Sequence, residues 1–196
     1  MTGDAILWRI ARLAALLAPR LLLAGDCLAL LSPYSICWTV FLWLLFVCFV
    51  PALVGLVVAL SRTQPLLAAT GGVIVLIGTM AGASMQAYFR TGILLQNGGH
   101  EAAIAFLRTQ SVLPLTTQVP GICFPVGLLV LAFALWRSGI APGWVAATLA
   151  LGAVLFPVGH AARVNWALMA GDVVLALAFG ALAIYVIRSS PTTTRA

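Results

Sequence analysis

Apolar residues come in long runs closed by single arginines. The clearest run, Ile36 to Leu60, carries no charge. At 1.5 Å rise per residue it is roughly 37 Å long, enough to cross a hydrocarbon core of about 30 Å with some tilt. Leu66 to Phe89 is closed by Arg90, Leu113 to Trp136 by Arg137, and Trp166 to Ile187 by Arg188, with Gly143 to Ala162 between the last two. Each of these runs predicts a transmembrane helix. A further run, Leu13 to Leu31, contains Pro19, Arg20 and Asp26. On a helical wheel Arg9, Arg12, Arg20, Asp26 and Cys27 fall within about 120° of one another. That suits a span whose polar stripe faces the bundle, or an amphipathic helix lying in the interface.

Charge decides between the two. With this run as a span and the N-terminus inside, Arg9, Arg12, Arg62, Arg137, Arg188 and Arg195 are cytoplasmic, and Arg90, Arg108 and Arg163 lie outside. That arrangement obeys the positive-inside rule, and removing the first span reverses the bias. The expected fold is all-α: one membrane-embedded domain over residues 1–196, a bundle of six spans (about 13–31, 36–60, 66–89, 113–136, 143–162 and 166–187), with both termini cytoplasmic at the cell membrane. The alternative is five spans plus an N-terminal interfacial helix. Between Arg90 and Ser111 lies the one sizeable loop, broken by Gly98-Gly99, with a short helix expected from Glu101 to Gln110.

Composition agrees with lipid as the solvent. Hydrophobic residues make up 63% of the chain and charged residues 7%, against about 45–50% and about 25% in soluble domains. Mean hydropathy is +1.16. Trp8, Trp38, Trp136, Trp144 and Trp166 fall at expected span ends, where an indole ring meets both apolar and polar surroundings. The net charge of +6 comes from arginines set singly, with no cluster to follow a phosphate backbone, so nucleic acid is not an expected partner. The N-terminal run resembles the start of a signal peptide, but Leu23-Ala24-Gly25-Asp26-Cys27 has Asp where a lipoprotein signal has a small residue, and retention is expected. Cys27, Cys37, Cys48 and Cys123 make no metal-type spacing and are expected as free thiols, a Cys27–Cys37 disulfide being the alternative. Small-residue faces at Gly78 to Gly82, Ala167 to Gly171 and Ala176 to Gly180 are candidate helix contacts.

Ionisable groups inside a membrane are costly, so each is a functional candidate. Asp26, Gln86, Gln118, His160, Arg163 and Asp172 all fall in the half of the bundle away from the termini, with Glu101 on a loop above them and Arg20 near mid-span. Asp26 and Asp172 are the candidate catalytic pair, a proton donor and an acceptor. Arg20, Gln86, Gln118, His160, Arg163 and Glu101 are candidate binding groups, the arginines for an anion such as a lipid phosphate. The structural alternative pairs Asp172 with Arg163 or Arg20, and Asp26 with Arg20. His160, beside Pro157 and Gly159, is expected as an interface histidine. No HExxH, GxSxG, phosphate-binding glycine loop or zinc spacing is present, and two histidines do not suit bis-histidine haem, so neither cofactor nor metal is expected.

Gly143-Trp144 leading into the fifth span, the ending Phe156-Pro157-Val158-Gly159-His160 and the acid in Gly171-Asp172 resemble a group of small bacterial six-span integral membrane proteins. The resemblance covers mostly the last third of the chain and implies membrane location and six helices, with no activity. The expected function is that of a binding or accessory bundle with an outward-facing polar pocket. Membrane lipids, a lipidic small molecule, a homo-oligomer or a membrane complex are its expected partners. An intramembrane enzyme on an isoprenoid or other lipidic substrate, and a small proton-coupled transporter, are the competing readings.

Overall fold

A computed structural model describes residues 3–32, 35–109, 117, 119–162 and 164–187. Along them run α1 (Gly3–Leu31), α2 (Ile36–Ser61), α3 (Pro65–Asn97), α4 (Glu101–Thr109), the single turn α5 (Val119–Gly121), α6 (Cys123–Ser138), α7 (Gly143–Ala162) and α8 (Asn165–Tyr185), and no strand occurs among the described residues. Six segments are long and apolar enough to cross a membrane: Ala5–Leu31, Ile36–Ser61, Pro65–Asn97, Val119–Ser138, Gly143–His160 and Asn165–Tyr185. The protein is an all-α polytopic bundle, and its first run is a full-length span.

Local chemistry sets the ends. Ser35 caps α2 by accepting the N–H of Cys37 at 3.2 Å, and Pro65 opens α3 at a position whose N–H has no helical partner anyway. Gly139 closes α6 with a positive φ of 65° that only glycine adopts cheaply. Two boundaries differ from the sequence reading. α1 begins at Gly3 rather than Leu13, and α3 continues past Arg90 to Asn97. In both places a charge ends the apolar run without ending the helix, because a helix satisfies its own backbone in water as well as in lipid. The helix stops where Gly98-Gly99 leaves it, Gly99 at φ 73°. The expected start of the fourth span, 113–118, lies outside the described residues except for Thr117.

The six spans stand in a closed ring. α1 packs on α2, α2 on α3, α3 on α6, α6 on α7, α7 on α8, and α8 back on α1. α4 packs on α3. Helix faces follow the 3.6-residue period: α2 buries Leu42, Leu45, Phe46, Phe49, Ala52, Leu53, Leu56 and Leu60 and turns Val47, Val50, Val54 and Val58 outward. Both faces are apolar, one for the core and one for lipid. Glycine sets the closest approaches. Gly78 lies against the backbone of Phe124, Gly127 against that of Val75, and Gly159 against that of Leu168. Trp8, Ala59, Arg62, Thr63, Ile140, Tyr185 and Val186 share one cleft of about 140 Å³, which places the start of α1, the α2–α3 and α6–α7 turns and the end of α8 at one end of the bundle. That end is called the terminal end here, and the other the loop end.

Candidate functional site

The axis of the ring is filled with phenylalanine. Phe49 of α2 meets Phe179 of α8 at a ring-centroid distance of 4.9 Å and Phe124 of α6 at 5.4 Å. Phe124 also meets Phe46 at 6.1 Å and Phe156 of α7 at 5.2 Å. Phe49, Phe124 and Phe179 are fully buried. One turn along α7 towards the loop end, His160 stacks on Phe156 with centroids 4.2 Å apart and planes 28° apart.

Above this aromatic plug lies a polar cluster. His160 Nε2 stands 3.2 Å from Asp26 Oδ2. The carboxyl of Asp172 faces that of Asp26, and the two acids are only 3% and 1% exposed. Three helices meet to build it. Gly25 presses α1 onto Leu42 of α2, where an added methyl would come within 2.8 Å of the leucine, so Asp26 is held on the inner side of α1. Gly159 lets the backbone of Leu168 approach the end of α7, and the N–H of Val164 donates to Gly159 O at 3.2 Å to close that turn. α8 thereby runs back close beside α7, with Gly171 against Leu155 and Phe156 and Asp172 next to it.

The hydrogen-bond inventory of the cluster is unbalanced. His160 Nδ1 lies 3.0 Å from Phe156 O. A carbonyl only accepts, so Nδ1 carries the hydrogen, and in the neutral ring Nε2 is left as an acceptor. It faces an acceptor: Asp26 Oδ2 is at ion-pair distance, yet neither it nor either oxygen of Asp172 has a hydrogen-bond donor. Two ionised carboxyls offer each other no donor. Elsewhere in the bundle, Gln86 Oε1 on α3 is also buried without a partner. The arrangement brings buried acceptors face to face. His160, with its side chain 28% exposed, is its one edge towards the surface.

Of the residues singled out from sequence, Asp26, Asp172 and His160 are brought together. His160, expected at the interface, is the partner of Asp26. Arg20 is not brought to them: it lies exposed on the outside of α1, so neither acid pairs with it. On the wheel Arg20 and Asp26 share a broad sector, but packing against α2 and α8 divides that sector, burying Asp26 and leaving Arg12, Arg20 and Cys27 outside. Glu101 is exposed on α4, away from the ring. Gln118 and Arg163 lie outside the described residues. All four cysteines are free, Cys27 and Cys37 exposed. No group of three or more His, Cys, Asp or Glu side chains suited to a metal occurs among the described residues. Sequence reasoning missed the phenylalanine plug, although the spacing of Phe46 and Phe49, and of Phe156 and His160, already puts each pair on one helix face.

Comparison with protein-family models, with curated proteins and with solved structures finds no match.

Proposed function

We propose that the chain is a membrane-embedded accessory bundle whose imidazole–acid–acid cluster, His160–Asp26–Asp172, binds protons taken up at the loop end. The supporting observation is the run of facing acceptors, His160 Nε2, Asp26 Oδ2 and the two oxygens of Asp172, buried without a donor among them. Leaving buried acceptors unpaired is unfavourable, and two facing buried charges of one sign more so. One proton between Nε2 and Asp26 supplies the first missing bond, and a second between the carboxyls of Asp26 and Asp172 supplies the next. The partly exposed imidazole is the entry group. The arginine distribution favours a cytoplasmic terminal end and, with it, a loop end that faces outward.

The groups around the cluster limit the alternatives. α1, α7 and α8 contribute Asp26, His160 and Asp172, and α2 covers Gly25 with Leu42 and Phe41. An enzyme acting on an isoprenoid needs a chamber below the acids, and packed phenylalanine rings occupy that space. The same rings interrupt a straight path along the axis, which favours uptake and release from one side over conduction.

Infrared difference spectroscopy of the protein in vesicles, titrated through the range where imidazole and carboxyl groups change charge, tests this. A carboxylic C=O band that grows with acidification, shifts in D₂O and disappears in Asp172→Asn is the expected result. A spectrum with no such band, or one unchanged by Asp26→Asn and Asp172→Asn together, overturns the reading.

A further inference from the structure

We infer that the cleft at the terminal end is a binding site for a phosphate group, held by the guanidinium of Arg62. Stretches of chain that lie far apart in sequence build it. Trp8 comes from the start of α1, Arg62 and Thr63 from the turn after α2, Ile140 from the turn between α6 and α7, and Tyr185 from the end of α8. The level of the cleft follows from where the spans stop. Ser61 and Ser138 end two of them, so Arg62, Thr63 and Ile140 stand just beyond the apolar segments. Tryptophan and tyrosine are the ring types that favour this layer. Both lipid phosphates and dissolved anions reach it.

Charge selects an anion. Arg62 is exposed, and among the described residues no acid reaches it or lines the cleft. Of the four acids in the chain, Asp26, Asp172 and Glu101 belong to the loop end. Asp4, in the first turn of α1, is left against Arg9, Arg62 and Arg137. The polar side chains of the lining suit an acceptor-rich guest. A guanidinium offers a fork of N–H donors and no acceptor, an indole offers an N–H, and the hydroxyls of Thr63 and Tyr185 can donate. The Thr63 hydroxyl donates to Leu60 O at 3.4 Å, a long contact that a closer acceptor displaces. Carbonyls at the helix ends offer little competition for Arg62, since Leu60 O accepts from Thr63 and Gln64 N–H, and Leu182 O from Val186 and Ile187 N–H.

Size then narrows the anion. At about 140 Å³ the cleft is small, well below the roughly 300–1,000 Å³ of pockets that enclose a drug-sized ligand. It takes a group of a few heavy atoms and leaves the bearer outside. A phosphate is such a group, a compact set of acceptors that a guanidinium meets with parallel hydrogen bonds. Ala59 and Val186 add apolar wall, which lowers the local dielectric and strengthens those bonds. The phosphodiester of an anionic lipid and inorganic phosphate share this chemistry. The cleft and the His160–Asp26–Asp172 cluster stand at opposite ends of the bundle, so phosphate binding at one is independent of proton binding at the other.

Native mass spectrometry of the full chain, released from uncharged detergent micelles, counts bound molecules as phosphatidylglycerol, phosphatidylcholine or inorganic phosphate is added. Phosphatidylcholine carries its phosphate beside a fixed cation, which Arg62 repels, and serves as the comparison. One phosphatidylglycerol is expected to bind about tenfold more tightly than one phosphatidylcholine, as a single charge-assisted contact provides. The preference should vanish in Arg62→Gln. It should persist in Arg137→Gln, which removes the same charge from a guanidinium that lies over the Phe133 ring, outside the cleft. Phosphatidylglycerol bound where inorganic phosphate is not supports the proposal with lipid as the source, and Arg62-dependent binding of inorganic phosphate supports it with the free anion. Equal binding of the two lipids with no inorganic phosphate bound overturns it without relying on any variant. So does binding of either anion that Arg62→Gln leaves unchanged, or a lipid preference that Arg137→Gln lowers as much as Arg62→Gln does.

Discussion

His160 is held by two contacts that leave one nitrogen free. Stacking on Phe156 sets the plane of the ring, the Phe156 carbonyl takes the Nδ1 hydrogen, and Nε2 is aimed at Asp26. Replacing His160 with Leu takes the imidazole partner from the buried Asp26 carboxyl, and a loss of about 1–3 kcal/mol in unfolding free energy is expected. Asp26→Leu on top of His160→Leu should recover part of it, because two apolar groups then face each other across the contact of α1 with α7. The coupling, about 0.5–3 kcal/mol, is readable as a double-mutant cycle from denaturant unfolding in micelles. A zero coupling would mean that the 3.2 Å approach carries no energy. Asp26 and Asp172 were legible as candidates from sequence because a charge stands out in an apolar run, and their depth followed from helical rise. Their meeting was not legible. Asp26 shares its wheel sector with Arg20, and only the packing of α1 against both α2 and α8 separates the residue that turns in from the one that turns out.

At the scale of the helix, spans could be counted from sequence but their faces could not be oriented. In water the buried side of a helix is the apolar one. In this bundle lipid rewards the same residues as the core, so Val54 points out and Leu53 in with little chemical difference between them. Glycine carries more orienting information, through shape rather than polarity. Of the small-residue faces read from the sequence, Gly78 touches the backbone of Phe124, Gly82 the ring of Phe46, and Gly171 the backbone near Leu155, whereas Gly180 faces open space. The spacing is the same in each case, so spacing alone could not sort them. Gly78→Leu should therefore push α3 off α6 and cost about 1–3 kcal/mol or more. Gly180→Ala should be neutral or stabilise α8 by up to about 1 kcal/mol. Thermal unfolding of the two variants in the same detergent decides the matter, and a Gly78→Leu protein as stable as the wild type would contradict the α3–α6 contact.

For the whole molecule, alternation of the spans puts Thr63 at the terminal end and Asn97 at the loop end. In a background without native cysteines, Thr63→Cys and Asn97→Cys are expected to react with a membrane-impermeant thiol reagent from opposite sides of sealed vesicles. Labelling of both from one side would remove a span from the ring. Short connections made sequential neighbours legible in advance, α1 beside α2 and α7 beside α8. They could not reveal that α3 pairs with α6 across the segment that follows α4, or that α8 returns to α1, since both contacts join helices distant along the chain.

That return has a consequence in time. Asp26 enters the membrane with α1, while His160 and Asp172 arrive later, with α7 and α8. At about 5–20 residues per second the roughly 130 residues between them take on the order of 10 s to make. Throughout that interval a half-built chain carries a solitary acid that the finished bundle conceals. Any truncation before α7 keeps it solitary, giving membrane proteases and chaperones a built-in mark of an incomplete product.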